Sequence, residues 1–179
     1  MARRSKDEVR FWGLIEEAWA HQPVEVLRAR KQLARGVEED DETLACSAVE
    51  DALDEVVEDL ENSLRSLNQD ELRQFDAMLT RKLYELDRHE LQHRSHHSDE
   101  DFLFARGYVV ALGNAYYEAV RTGAVTLPEG AECEAICRLA ERVHEDRFGC
   151  KPPRDTSVSM RTGSNASGWS SPRSSDYPA

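Results

Sequence analysis

The chain has 179 residues, 32% of them charged, and a formal net charge of −12. Such a length suits one domain with a sizeable core, and so negative a balance excludes a nucleic-acid backbone as the expected partner. No apolar run is long enough to cross a membrane, so no membrane partner is expected, and the basic start Met1-Ala2-Arg3-Arg4 runs into charged SKDEVR instead of a signal-peptide core. The cysteines Cys46, Cys133, Cys137 and Cys150 have no framework spacing and are expected as reduced thiols of a cytoplasmic protein.

In chain order, Ser5 with Glu8 three residues on is a capping box, and Phe11, Trp12, Ile15, Ala18 and Trp19 follow at helical spacing. The spacing predicts a first helix from about Lys6 to Ala20. Pro23 opens a short second helix that Gly36 closes, with Arg28, Arg30, Lys31 and Arg35 around its small apolar side. From about Thr43, the residues Leu44, Val49, Leu53, Val56, Val57, Leu60, Leu64 and Leu67 give a third helix an inward seam. Its outer face is acidic: Glu50, Asp51, Asp54, Glu55, Glu58 and Asp59. Four like-charge pairs lie one turn apart there and together oppose the helix by about 1–2 kcal/mol.

Asn68 and Glu71 form another capping box, and Leu72, Phe75, Leu79, Leu83 and Leu86 line the helix they start, which is expected to run to near His93. The stretch from Ser98 to Thr122 reads as one central helix. Ser98 caps it with Asp101, Phe102, Ala105, Val109, Leu112, Tyr116 and Val120 form its stripe, and Gly123 ends it. Pro128 is expected to open a last helix that stops at Phe148-Gly149. Residues 150–179 are mostly Ser, Pro, Gly, Arg and other polar types, so they are expected to form a disordered tail. A chain ending at Gly149 should then melt as the full chain does. The fold class expected is all-α: one domain over residues 1–149, an irregular bundle of about six helices around a central buried helix.

Three segments carry a resemblance: Phe11-Trp12-Gly13-Leu14-Ile15, the Leu67 to Leu72 helix start followed by Phe75, and SDEDFLFARGYVVALGNAYYEAV. With them the chain resembles, over roughly residues 8 to 149, a bacterial family catalogued only as domain of unknown function 4240. The family's central pattern falls here on Ser98, Asp99, Phe102, Arg106, Val109, Gly113 and Tyr117. Asp101 stands where that pattern has Gly, and His89 to His97 replaces a more apolar, Gly-rich approach. The resemblance implies a fold and supplies no activity.

Four constellations could carry function. His89-Glu90-Leu91-Gln92-His93 spells H-E-x-x-H, in which two imidazoles one turn apart could bind zinc with His97 as a third ligand and Glu90 as general base. A solvated helix end explains the same residues, because protonated His complements the dipole there. Cys133, Cys137 and His144 share a face of the last helix, where free thiols fill core. Asp99, Asp101 and Arg106, beside Phe11, Trp12, Tyr116 and Tyr117, form the candidate pocket. Capping by the two acids and core filling by the aromatics is the plainer account. The acidic face of the third helix suits a basic protein partner, or a solvated surface partly neutralised by the second helix.

The reading that follows is a cytoplasmic protein-interaction or regulatory domain without catalysis or cofactor, whose partner is another protein. Its rivals are a small zinc hydrolase built on His89, Glu90 and His93, and an acidic inhibitor or immunity-type protein blocking a basic partner.

Overall fold

The computed structural model describes residues 5–36, 39–95, 98–153 and 158–170. Among them lie α1 (Lys6–Trp19), α2 (Val24–Leu33), α3 (Glu39–Ser66), α4 (Gln69–Glu85) and α5 (His89–Ser95). The chain continues through α6 (Asp99–Ala111), α7 (Gly113–Thr122), α8 (Glu134–Cys137) and α9 (Leu139–Phe148). No strand occurs among the described residues, and the fold is all-α.

All three predicted N-caps accept their amide, and the reciprocal capping box is complete at Asn68. Ser5 accepts from the Glu8 amide at 3.1 Å, and Asn68 and Glu71 exchange hydrogen bonds at 3.0 and 2.9 Å. Ser98 accepts from the Asp101 amide at 3.3 Å. The long α3 lies against α1, α2 and α9, while α4 lies against α1, α6 and α9. Between them runs α6, in which every residue from Ala105 to Ala111 is buried. A helix buried all round is the centre of the core.

The closest approach to α6 comes from α8. A Cβ on Gly107 would stand 2.5 Å from the Cys133 carbonyl oxygen and 2.7 Å from Cys137 Sγ, so only glycine lets the two segments meet. Gly107→Ala gains helix propensity of about 1 kcal/mol, but overpacking costs about 1–3 kcal/mol. The expected result is a melting midpoint several degrees lower, read by circular dichroism. An unchanged midpoint would mean that α8 can retreat freely.

Several boundaries differ from expectation, each for a tertiary reason. The stretch from Ser98 to Thr122 is two helices, broken at Leu112 and Gly113. Gly113 has φ +80°, a left-handed backbone that glycine adopts without strain, and its missing Cβ leaves room for the Arg30 guanidinium. The fourth helix ends at Glu85, and Leu86–Arg88 turn the chain before α5. The last helix begins at Glu134 instead of Pro128 and is interrupted at Arg138, because the preceding connection is tied to α6 through the Cys133 amide and the Phe104 carbonyl at 3.0 Å. Leu44, expected on the inward seam of α3, is 73% exposed.

The described part of the tail also differs. Residues 158–170, expected to be disordered with the rest of 150–179, lie on the body as an ordered strap against α4, α5 and α6. Residues 154–157 and 171–179 of that expected tail lie outside the described residues. Polar contacts hold the strap, and its Met160 and Trp169 pack against the hydrophobic core.

Candidate functional site

The seven residues of the candidate pocket do not share one cavity. Phe11 and Trp12 of α1 meet Phe75 of α4 and Tyr117 of α7, with ring centroids 4.8 Å apart for Phe11–Phe75 and 5.1 Å for Trp12–Tyr117. All four are buried core. Beneath Tyr117, Lys82 of α4 sits 5.2 Å from the ring centroid and bonds Glu8 at 2.8 Å and Glu85 at 3.2 Å. Tyr117 donates to Glu85 at 2.6 Å, and burial, followed by that bond, drives its phenol far above the usual range. Tyr116 faces elsewhere, edge-on to Tyr108 at 6.1 Å.

Asp99 and Asp101 are at the exposed start of α6. Asp101 Oδ2 accepts from Ser98 Oγ at 2.5 Å, and Asp99 Oδ1 accepts from Gln92 at 2.7 Å. Arg106, one turn further into α6, is 1% exposed. Its Nε donates to the Phe102 carbonyl at 3.2 Å and its Nη1 to the Leu83 carbonyl at 2.8 Å. Its Nη2 donates to the Met160 carbonyl at 3.0 Å and to Thr162 Oγ1 at 3.1 Å, both on the strap. Burial pulls its pKa down to about 10 against the opposing pull of Asp87. Arg106 thus binds main chain on both sides, and Asp99 and Asp101 are not among its hydrogen-bond partners in the described residues.

Asp87 was not singled out in the sequence, and it completes this site. It is 0% exposed, directly after α4. Oδ1 accepts from the Gly163 amide at 3.0 Å and from the Trp169 indole at 2.8 Å. Oδ2 accepts from the Asn165 amide at 2.9 Å, with Ser164 Oγ at 3.2 Å. A signal for it did exist: an acid just past a helix C-terminus opposes the dipole and needs donors from elsewhere. Nothing in the spacing says that those donors come from residues 163–169.

The histidines of H-E-x-x-H lie on α5. The His89 and His93 rings are stacked, 5.8 Å apart and 7° from parallel, and the edge of Trp169 meets His89 at 5.7 Å. His97 lies outside the described residues. Among the described residues, no three His, Cys, Asp or Glu side chains gather into a metal-holding group. Cys137 fills the α6–α8 contact, its Sγ 3.7 Å from the Leu103 carbonyl, and burial pushes its thiol up to about 12. His144, in α9, bonds the Cys150 carbonyl at 2.7 Å through Nδ1 and lies 3.3 Å from Gln69 through Nε2.

On α3 the acidic residues are arrayed as expected. Glu50, Asp51, Asp54, Glu55 and Glu58 are exposed and have no Lys or Arg ion-pair partner among the described residues, while Asp59 meets His21 at 3.1 Å. Partial burial, then the neighbouring Asp51, raises the Glu50 carboxyl. Of the basic residues on α2, Arg30 is engaged elsewhere. Arg30 of α2 pairs with Glu16 at 2.5 Å and donates to the Leu112 carbonyl at 2.8 Å, at the α6–α7 break. Beside it Trp19 donates to the Ala111 carbonyl at 2.7 Å, so the carbonyls freed by the break are both satisfied.

The comparisons with known proteins set these sites in context. No curated protein and no solved structure matches the chain. A family described as "Protein of unknown function (DUF4240)" matches residues 7–146, from α1 to near the end of α9 and short of the strap. With most of its length covered by that match, the chain belongs to this family of unknown function.

Proposed function

We propose that the chain is a cytoplasmic protein-interaction domain without catalysis, which presents the outer face of α3 to a basic protein partner. The observation that carries this reading is the lack of internal compensation. Asp51, Asp54, Glu55 and Glu58 stand in solvent, with no Lys or Arg ion pair to any of them among the described residues. Like charges one turn apart weaken the helix that bears them, and a basic surface laid over them would relieve that cost while steering the encounter. Leu44, 73% exposed, falls on the same helical stripe as Asp51, Glu55 and Glu58 and gives the face an apolar contact point. The four cysteines are free thiols, which supports a reducing compartment. An inhibitor or immunity-type role would use this same face. A zinc hydrolase built on His89 and His93 has less support, because the two rings stack on each other and His89 meets the edge of Trp169.

Paired charge reversal, Asp54→Lys with Glu58→Lys, tests the reading. Both side chains are exposed, and attraction to Glu50, Asp51 and Glu55 replaces repulsion and outweighs the one like-charge pair the two lysines keep, so the midpoint should stay level or rise slightly. A basic protein that co-purifies with the wild-type chain should be lost from the variant in a parallel pull-down from the native host. If every bound protein survives the reversal, the acidic face is a solvated surface and nothing more.

A further inference from the structure

Two almost fully buried charged side chains, Asp87 at 0% and Arg106 at 1% exposure, both hydrogen-bond the turn-rich strap instead of each other. A buried charge is tolerable when its hydrogen-bonding capacity is filled. The filling comes from the strap. Both charged residues lie inside the family match at residues 7–146, and the strap lies outside it. The matched domain therefore holds a set of groups whose partners come from elsewhere in the chain.

Those groups read main chain. Asp87 takes the Gly163 and Asn165 amides, Arg106 takes the Met160 carbonyl, and the His89 amide donates to the Gly168 carbonyl at 3.0 Å. Selectivity comes from four positions, the first being Gly163, whose φ of +79° is a left-handed backbone that glycine adopts without strain. Asn165 donates through Nδ2 to the Tyr84 carbonyl at 3.1 Å, and its Oδ1 takes Ser167 Oγ at 2.7 Å, folding the turn. Gly168 has to be glycine, since a Cβ there would stand 2.5 Å from the Asp87 carbonyl oxygen and 2.7 Å from Arg88 Cγ. The Trp169 indole N–H ends on Asp87 Oδ1 at 2.8 Å. The sequence pattern read is Gly-x-Asn-x-x-Gly-Trp.

We propose that Asp87 and Arg106 form a peptide-binding clasp for a turned Gly-x-Asn-x-x-Gly-Trp segment, filled in cis by residues 163–169 and open, once this strap is displaced, to the same segment of a second copy of the chain. The second copy is the occupant because its segment is identical to the one that fits. A tethered segment competes at an effective concentration on the order of millimolar, so the cis form dominates in dilute solution and release of the strap controls exchange. The clasp is separate from the acidic face of α3, and neither reading depends on the other.

The test uses the full chain and a fluorescent peptide of residues 158–170 standing in for the second copy. Asn165→Ala with Trp169→Ala should loosen the strap and speed trypsin cleavage after Arg161, which the strap carries. That released chain should bind the peptide at least about tenfold more tightly than the wild-type chain, whose clasp is filled. Peptide carrying the same two alanines should not bind. Asp87→Asn added to the released chain should also abolish uptake, and if that variant fails to fold, the peptide pair decides alone. A strap still protected after both anchors are removed overturns the proposal. So does a released chain that ignores the peptide, or an alanine peptide that binds as well as the native one.

Discussion

Asp87→Ala is expected to lower the melting midpoint by roughly 5–15 °C, more than any substitution of an exposed charge. The carboxylate accepts from two amides and an indole, and with it gone those donors have no acceptor on the body. Hydrogen bonds to a charged group are worth about 1.5–3 kcal/mol each, but the strap can lift and rehydrate, so the net loss is about 2–4 kcal/mol. At this chain length each kcal/mol shifts the midpoint by about 2–4 °C. Ending the chain at Gly149 should cost at least as much, since it removes those bonds together with the strap's bonds to Arg106, Tyr84 and His89. Asp87→Ala in that shorter chain should then add little, because the two changes delete one interaction. Thermal melts of the four proteins close this cycle. Equal midpoints for the full-length and shortened wild-type chains would show that the strap contributes no stability.

Leu112→Ala carries the other large effect. Leu112 is 1% exposed at the end of α6, in the centre of the core. Leu→Ala at such sites costs about 2–5 kcal/mol from lost transfer energy and the cavity left behind. The midpoint should fall by roughly 4–20 °C. The alanine keeps the main-chain carbonyl that accepts from Arg30, so the loss isolates the side chain's packing. Asp54→Lys is the matched control, with no change or a slight rise. Damage from Asp54→Lys instead would mean that the acidic face is tied to internal cations, and the partner-binding proposal would lose its support.

Arg106 shows how far the candidate site could be read in advance. The sequence placed it beside acidic and aromatic residues as part of a candidate pocket. In the fold, Asp99 and Asp101 stay at the solvent end of α6 while Arg106, a turn deeper, meets only carbonyls, a hydroxyl and the ring of Phe102. Proximity along a helix fixed the face of the guanidinium and said nothing of what lay opposite. Phe11, Trp12 and Tyr117 came together as core, in keeping with the plainer account of those residues.

What the sequence determined by itself is local. The capping residues Ser5, Asn68 and Ser98 and the apolar spacings of three and four set the all-α class and most helix starts, because capping bonds and side-chain faces are settled within one or two turns. The tertiary structure decided where helices break and where the polar segments go. Gly113 becomes a break because Arg30 and Trp19, from other helices, satisfy the carbonyls the break frees. The strap is held because Asp87 and Arg106 bond its main chain while Met160 and Trp169 pack against the core. Both outcomes rest on hydrogen bonds between residues far apart in the chain, and periodicity carries no trace of such partners.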